Sequence, residues 1–256
     1  MVAVNKARLD VLALLHELDL ELARTAKSAS SDSVHGLRVK IRRLTQALRM
    51  LKSSFALGAV KKIRRRLKSL MASAGEVRDM DIVLELLHKD GASQKLSKRI
   101  EQRREEAARK LRARLRPVIA NRMVARWRSW LAKGSASGAP VAAQRKLLAQ
   151  MTKRFAQRGK KASSPDASPE QLHHFRIAAK KLRYTMELLG PASNGRLEKV
   201  RNLQRVLGQV NDYASATRLI SDENGSKKLV RTWQKKQGEK MKEFRREWSS
   251  TFPSAS

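Results

Sequence analysis

Residues Val34 to Ser53 read VHGLRVKIRRLTQALRMLKS, and residues Leu172 to Gly190 read LHHFRIAAKKLRYTMELLG. Set side by side at a constant offset of 138 residues, the two stretches match position by position. Val34 meets Leu172, His35 meets His173, Leu37 meets Phe175, Arg38 meets Arg176 and Val39 meets Ile177. Arg42 and Arg43 meet Lys180 and Lys181, and Leu44 meets Leu182. In the first stretch, Val34, Leu37, Ile41, Leu44, Leu48 and Leu51 recur at three- and four-residue steps, the signature of an amphipathic helix. A second line of residues on the same helix is cationic: His35, Arg38, Arg42 and Arg49. The echo repeats it with His173, Arg176, Lys180 and Arg183. Both stretches are therefore expected to be helices with one face for a core and another presenting cations.

The rest of the chain repeats around this pair. Leu70, Gly75, Val77 and Asp79 match Leu203, Gly208, Val210 and Asp212 at an offset of 133, so the second copy is five residues shorter between the matched regions. Each half reads as lead helix, His/Arg helix, basic helix, Gly-x-x-x-Asp helix and long final helix. No strand-like alternation of any length appears, and Gly and Pro are scarce at 12 and 6 of 256 residues. The expected class is all-α: two antiparallel helical bundles from an internal duplication, with halves at 1–134 and 140–256 of one 1–256 domain.

The periodicity predicts helices over 4–29, from near Val34, over 57–72 and from there to about His88, with Ala74-Gly75 as a thin point. A charged segment from Ser93 to Lys133 should be mostly helical, with Pro117 as a kink or restart. A small-residue linker follows at 134–140, then a helix over 141–157 and a loop over 159–169. Ser168 and Pro169 set up the start of the echo helix by the cap-then-proline rule. Further helices are expected over 194–207, 210–222 and 226–249. In the first helix the apolar spacing is Leu9, Leu12, Leu15, Leu18 and Leu22.

Charge narrows the function. Lys and Arg number 57 against 23 acids, a formal charge of +34. Such an excess repels itself in a compact chain and calls for an anionic partner. Cysteine is absent, so there is no disulfide framework and no thiolate metal site, which suits a reducing cytoplasm. Asp10, His16, Glu17 and Asp19 interrupt the apolar residues of the N-terminus, so a signal peptide is not expected there. No apolar run reaches the length of a bilayer span.

Arginine suits phosphate because its planar fork donates two parallel hydrogen bonds, while lysine acts as a point charge. Donors spaced about 5–6 Å apart along a helix fit a linear phosphate polymer better than one small phosphate. The next helix adds Lys61, Arg65 and Lys68, echoed by Arg201 and Arg205. Tyr184, beside Arg183, is placed either to donate to a phosphate oxygen or to line the core. Asp79 and Asp212 read as structural, and Gly75 and Gly208 as sites of a bend or close helix packing. Trp127, Trp130, Trp233 and Trp248 read as packing residues, and His16, His88 and His174 as structural.

The motifs Val34-His35-x-x-Arg38-Val39-x-x-Arg42-Arg43-Leu44, Arg78-Asp79-x-Asp81, Leu172-His173-x-x-Arg176-Ile177-x-x-Lys180-Lys181-Leu182-Arg183-Tyr184 and Leu207-Gly208-x-x-Asn211-Asp212 resemble those of the CHAD family, the conserved-histidine α-helical domain. The resemblance implies two helical bundles about a pseudo-twofold axis, with a basic surface between them that binds inorganic polyphosphate. It also implies association with polyphosphate granules, and hence with granule proteins, in bacterial cytoplasm. Carried over, the binding role falls on His35, Arg38, Arg42, Arg43, His173, Arg176, Lys180, Lys181, Arg183 and Tyr184. Helical spacing adds Arg49, Arg65, Lys68, Arg201 and Arg205. Thr45 and Gln46 stand where the second copy has Arg183 and Tyr184, which weakens the first-copy site there. The Glu-x-Glu-x-Lys motif of the triphosphate-tunnel domain that often accompanies the family is absent, so a stand-alone version is expected.

Two other classes compete. A basic helical nucleic-acid binder accounts for the charge equally well, but single-strand binders use aromatic stacking platforms, and no basic patch here is interleaved with aromatics. An enzyme acting on polyphosphate would need carboxylate-held Mg²⁺ or a phosphate-cradling glycine loop, and the basic stripes carry neither. The expectation is a binder without catalysis, cofactor or metal. A basic amphipathic helix lying on a membrane is a further alternative.

Overall fold

The computed structural model describes residues 2–51, 54–133, 141–189, 194–222 and 226–252. Among them the fold is all-α, with no strand. Nine helices run in order: α1 (Val2–Lys27), α2 (Ser31–Met50), α3 (Leu57–Lys89), α4 (Gln94–Ala120), α5 (Met123–Ala132), α6 (Val141–Ala162), α7 (Pro169–Leu189), α8 (Asn194–Asp222) and α9 (Lys227–Thr251). The chain divides into two compact units, Met1–Val141 and Ala142–Ser256. The expected linker over 134–140 lies outside the described residues.

In the first unit, α2 packs between α1 and α3, and α4 lies against α1 and α3. Its core is mainly aliphatic: Leu15, Leu18 and Leu22 of α1, Leu37, Ile41, Leu44 and Leu48 of α2, and Ile63 and Leu67 of α3 are fully buried, as is Trp127 of α5. Burying each such side chain stabilises by about 1.5–3 kcal/mol before conformational entropy is subtracted. The α1 stripe departs from the expected one. It runs through Val11, Leu15, Leu18 and Leu22, and Leu9 is 63% exposed because it falls outside that phase. Ser30 caps α2, accepting from the Ser33 backbone N at 3.3 Å, so the helix begins at Ser31, ahead of the start expected near Val34. One buried ion pair ties α3 to α4: Arg104 Nε donates to Asp81 Oδ1 at 2.9 Å.

Several boundaries differ from the sequence expectations. The helices expected over 57–72 and beyond are one 33-residue helix, α3, which passes through Gly75 without a break. The same holds for α8, unbroken through Gly208. A single helical glycine costs about 1 kcal/mol, which packing on both sides absorbs. Pro117 neither ends nor restarts α4. The helix continues to Ala120 and stops where Asn121 folds back, its backbone N (3.2 Å) and Nδ2 (2.8 Å) both donating to the Pro117 carbonyl. Arg122 follows in the left-handed region, φ 47°.

In the second unit the core is aromatic. Phe155 of α6 lies 5.0 Å from Phe175 of α7, and Trp248 of α9 packs on both, at 5.6 and 5.2 Å between ring centroids. α6 runs on to Ala162 through residues expected to be a loop. Gly159 explains this: a Cβ there would sit 1.9 Å from the Trp248 ring, so glycine admits the indole against the helix. Ser168 and Pro169 start α7 as predicted. Ser168 Oγ accepts from the Gln171 backbone N at 3.2 Å, and Gln171 Oε1 accepts from the Ser168 backbone N at 2.8 Å, a reciprocal capping box. Trp127, Trp233 and Trp248 are buried, as expected of packing residues.

Candidate polyanion-binding helix pairs

The cationic line of α2 lies along its seam with α3. Two contacts set the register. Arg38 Nη1 donates to the Met71 carbonyl at 3.5 Å, and a Cβ at Gly75 would come within 3.0 Å of the same nitrogen. Gly75 thus supplies neither a bend nor a turn but room for a guanidinium. Residues 64, 68, 71, 75 and 78 follow at steps of three and four, so Arg64, Lys68, Met71, Gly75 and Arg78 share the α3 face turned to that seam. At one end His35 meets the charge of Arg78, and at the other Arg49 meets that of Arg64.

These are cation-on-cation contacts. Partial burial, then the charge of Arg64, pull the Arg49 pKa down, although an arginine stays charged. Neither Arg49 nor Arg64 has a carboxylate partner among the described residues, and Arg64 Nε is buried without a hydrogen-bond acceptor. The His35 side chain reaches solvent, yet its pKa is lowered. Desolvation by neighbouring side chains is the first cause, followed by Arg78, Arg42 and Arg38, with Asp32 opposing. The ring is held in its neutral form at neutral pH. Arg78 also donates to Ser31 Oγ (3.0 Å) and Glu85 Oε1 (2.9 Å), which fixes its position beside α2.

The second unit repeats the frame with other residues. Arg176, Lys180 and Arg183 line one face of α7 and are half-buried, with His173 exposed near its start. The Arg183 guanidinium lies 4.6 Å from the centroid of the Tyr184 ring, and that ring is 3% exposed. Tyr184 is thus a core residue supporting Arg183, and its counterpart Gln46 is buried too, at 4%. Glu187 accepts ion pairs from Arg183 Nε at 3.6 Å and from Arg201 Nη2 of α8 at 3.3 Å. Arg201 also meets Glu198 at 3.4 Å.

Not every expected residue falls on these faces. Arg43 follows Gly36 and Lys40 on the edge of α2 turned to α1, where Lys40 pairs with Glu17 at 2.9 Å and Gly36 abuts the Glu21 carboxylate. Lys181, one residue past Lys180, is likewise about 100° from the α7 stripe. Arg65 is exposed and one residue off the α3 face that holds Lys68. Arg205 pairs with Glu247 of α9 at 3.7 Å rather than with α7. Conversely, Arg64 and Arg78 belong to the first seam and were not among the expected contacts. The step through Gly75 carried the signal, since both lie on its stripe.

Among the described residues, no group of His, Cys, Asp and Glu could hold a metal ion, and no helix is long and apolar enough to cross a membrane. Paired basic helices on an all-α scaffold define the class of this protein. The chain belongs to the CHAD domain family, which matches residues 11–221 and is associated in general with polyphosphate binding. A crystal structure of the CHAD domain from the plant Ricinus communis superposes with a TM-score of 0.71 at 18% identity, covering 98% of this chain and 88% of that one. PptA from Streptomyces chartreusis superposes with a TM-score of 0.68 at 16% identity, covering 96% of this chain and 98% of that one. At these identities the likeness is one of fold. A search of curated proteins found no match.

Proposed function

We propose that this protein binds inorganic polyphosphate, without catalysis, along the α2–α3 seam of the first unit and the α7–α8 seam of the second. The observation that carries this reading is the pair Arg49 and Arg64, brought together across a helix seam with no carboxylate partner for either among the described residues. Like charges held together cost stability, and an anion bridging them recovers it. A linear polyanion can follow the whole line from His35 to Arg49, neutralising each cation in turn and releasing its own counterions. Family membership and the formal charge of +34 point the same way. We assign the protein to polyphosphate granules in the cytoplasm, where granule-associated proteins would be its further partners.

The test is binding of long-chain polyphosphate to a variant with Arg38, Arg42, Arg176 and Lys180 replaced by Ala. Binding is expected to vanish while helicity by circular dichroism stays intact. Unchanged affinity would remove the site assignment. RNA or DNA competing equally with polyphosphate, phosphate for phosphate at fixed ionic strength, would turn the reading toward nucleic acid.

A further inference from the structure

The two seams differ at matched positions in a way that the common pattern hides. At the offset of 138, Arg49 of α2 corresponds to Glu187 of α7. At the offset of 133, Arg64, Lys68 and Arg78 of α3 correspond to Leu197, Arg201 and Asn211 of α8. Arg78 of the first seam has a carboxylate partner in Glu85, but where Arg49 and Arg64 stand the second seam has Leu197 and a carboxylate, Glu187. That carboxylate is engaged with two of the residues expected to bind ligand, Arg183 (3.6 Å) and Arg201 (3.3 Å). Its side chain is 17% exposed, so the pairing is better shielded from solvent than a surface ion pair.

We propose that Glu187 is a specificity-determining residue, an internal anion that occupies Arg183 and Arg201 and must be displaced before the second seam can take a phosphate chain. The inference rests on the polyphosphate reading and names what tunes it. A short anion arriving at Arg183 exchanges one carboxylate for one phosphate and leaves Glu187 without its partners, so little is gained. A long chain already held at Arg176 and Lys180 presents its next phosphates at high effective concentration. Arg176 to Arg183 spans about 10 Å of helix, so only a ligand of several linked phosphates reaches across. The carboxylate thereby selects for chain length. At the first seam no such competitor meets Arg49 and Arg64.

The experiment compares tripolyphosphate with long-chain polyphosphate on the wild-type chain and on Glu187→Gln, each over a salt series. Removing the charge is expected to raise tripolyphosphate affinity about three- to five-fold, the range of one part-exposed ion pair. The affinity for long chains should change less. The salt dependence for tripolyphosphate should steepen by about one, because freed arginines release more counterions on binding. A purely structural role for Glu187 would not move that slope. Adding Arg201→Ala to Glu187→Gln should reverse the gain. Glu187→Asp, which keeps the charge but shortens its reach, guards against misfolding of the Gln variant and should give a smaller gain. A wild type that binds long chains, with tripolyphosphate affinity unchanged or lowered in both Glu187 variants, overturns the inference alone. A wild type that binds neither probe overturns the polyphosphate reading and the inference with it.

Discussion

The α2–α3 seam and the α7–α8 seam carry the same His-x-x-Arg motif, but one end of the first sets cation against cation where the second sets a carboxylate between arginines. Arg49 faces Arg64 in one, and Glu187 holds Arg183 and Arg201 together in the other. Their glycines differ as well. Gly75 makes room for Arg38, while a Cβ at Gly208 would meet nothing within 4 Å. The cores diverge in the same way, mainly aliphatic in the first unit and with a cluster of packed aromatic rings in the second. A repeated motif thus preserves the direction in which side chains point, while the neighbours decide what each does.

The glycines offer the largest effect by which to sharpen this comparison. Gly159→Ala forces a methyl group into the Trp248 ring and should cost about 1–3 kcal/mol by overpacking, read as a lower denaturation midpoint. Gly208→Ala should go the other way, stabilising by up to about 1 kcal/mol, because the site is open and alanine is the better helix former. If Gly159→Ala proved as harmless as Gly208→Ala, the account of the aromatic core would fail.

A smaller effect probes the stored repulsion. Arg64→Gln removes one of two facing cations, so stability should rise by about 0.5 kcal/mol while polyphosphate affinity falls. The contrasting change in the second unit, Arg201→Gln, loses an attraction to Glu187 and should not stabilise. Chemical denaturation of the two variants separates these outcomes, and equal shifts of the same sign would break the comparison.

The smallest effect is one of pH. His35 has a folded pKa below its unfolded value, so the folded chain binds fewer protons. Its contribution to stability is full above about pH 6.5, the ordinary histidine value, and is lost as pH falls through and below it. A bound polyanion reverses the local charge and favours the protonated ring. Binding should therefore take up a proton, and affinity should rise as pH drops from about 7.5 to 6. His35→Gln should flatten that dependence, and titration calorimetry in buffers of different ionisation enthalpy would detect the missing proton.

Much of this was legible from residues alone. Helix phase followed from apolar spacing because burial of one face is the dominant local constraint, as in α2 from Val34 to Leu48. The start of α7 followed from Ser168 and Pro169 because a cap is a matter of a few adjacent residues. The cationic lines followed from the same periodicity. What local pattern could not supply was partnership. The run of three- and four-residue steps from Arg64 to Gly75 put Arg64 in the right phase, but only the packing of α3 on α2 set it against Arg49. Arg42 and Arg43 look like one basic pair in sequence, and the helix sends them to different edges. Glu187 has a local partner in Arg183 one turn back on α7, and becomes a counter-ion to a second arginine only where α8 brings Arg201 beside it.

The sequence by itself determined an all-helical chain, two copies of a basic motif and a formal charge of +34, since each depends on composition and short-range periodicity. Tertiary structure alone decided that Arg49 stands against Arg64, why α3 and α6 run through glycines, and that Glu187 meets Arg201. Those outcomes depend on distances between residues far apart in the chain, and only the packing of one helix on another sets them.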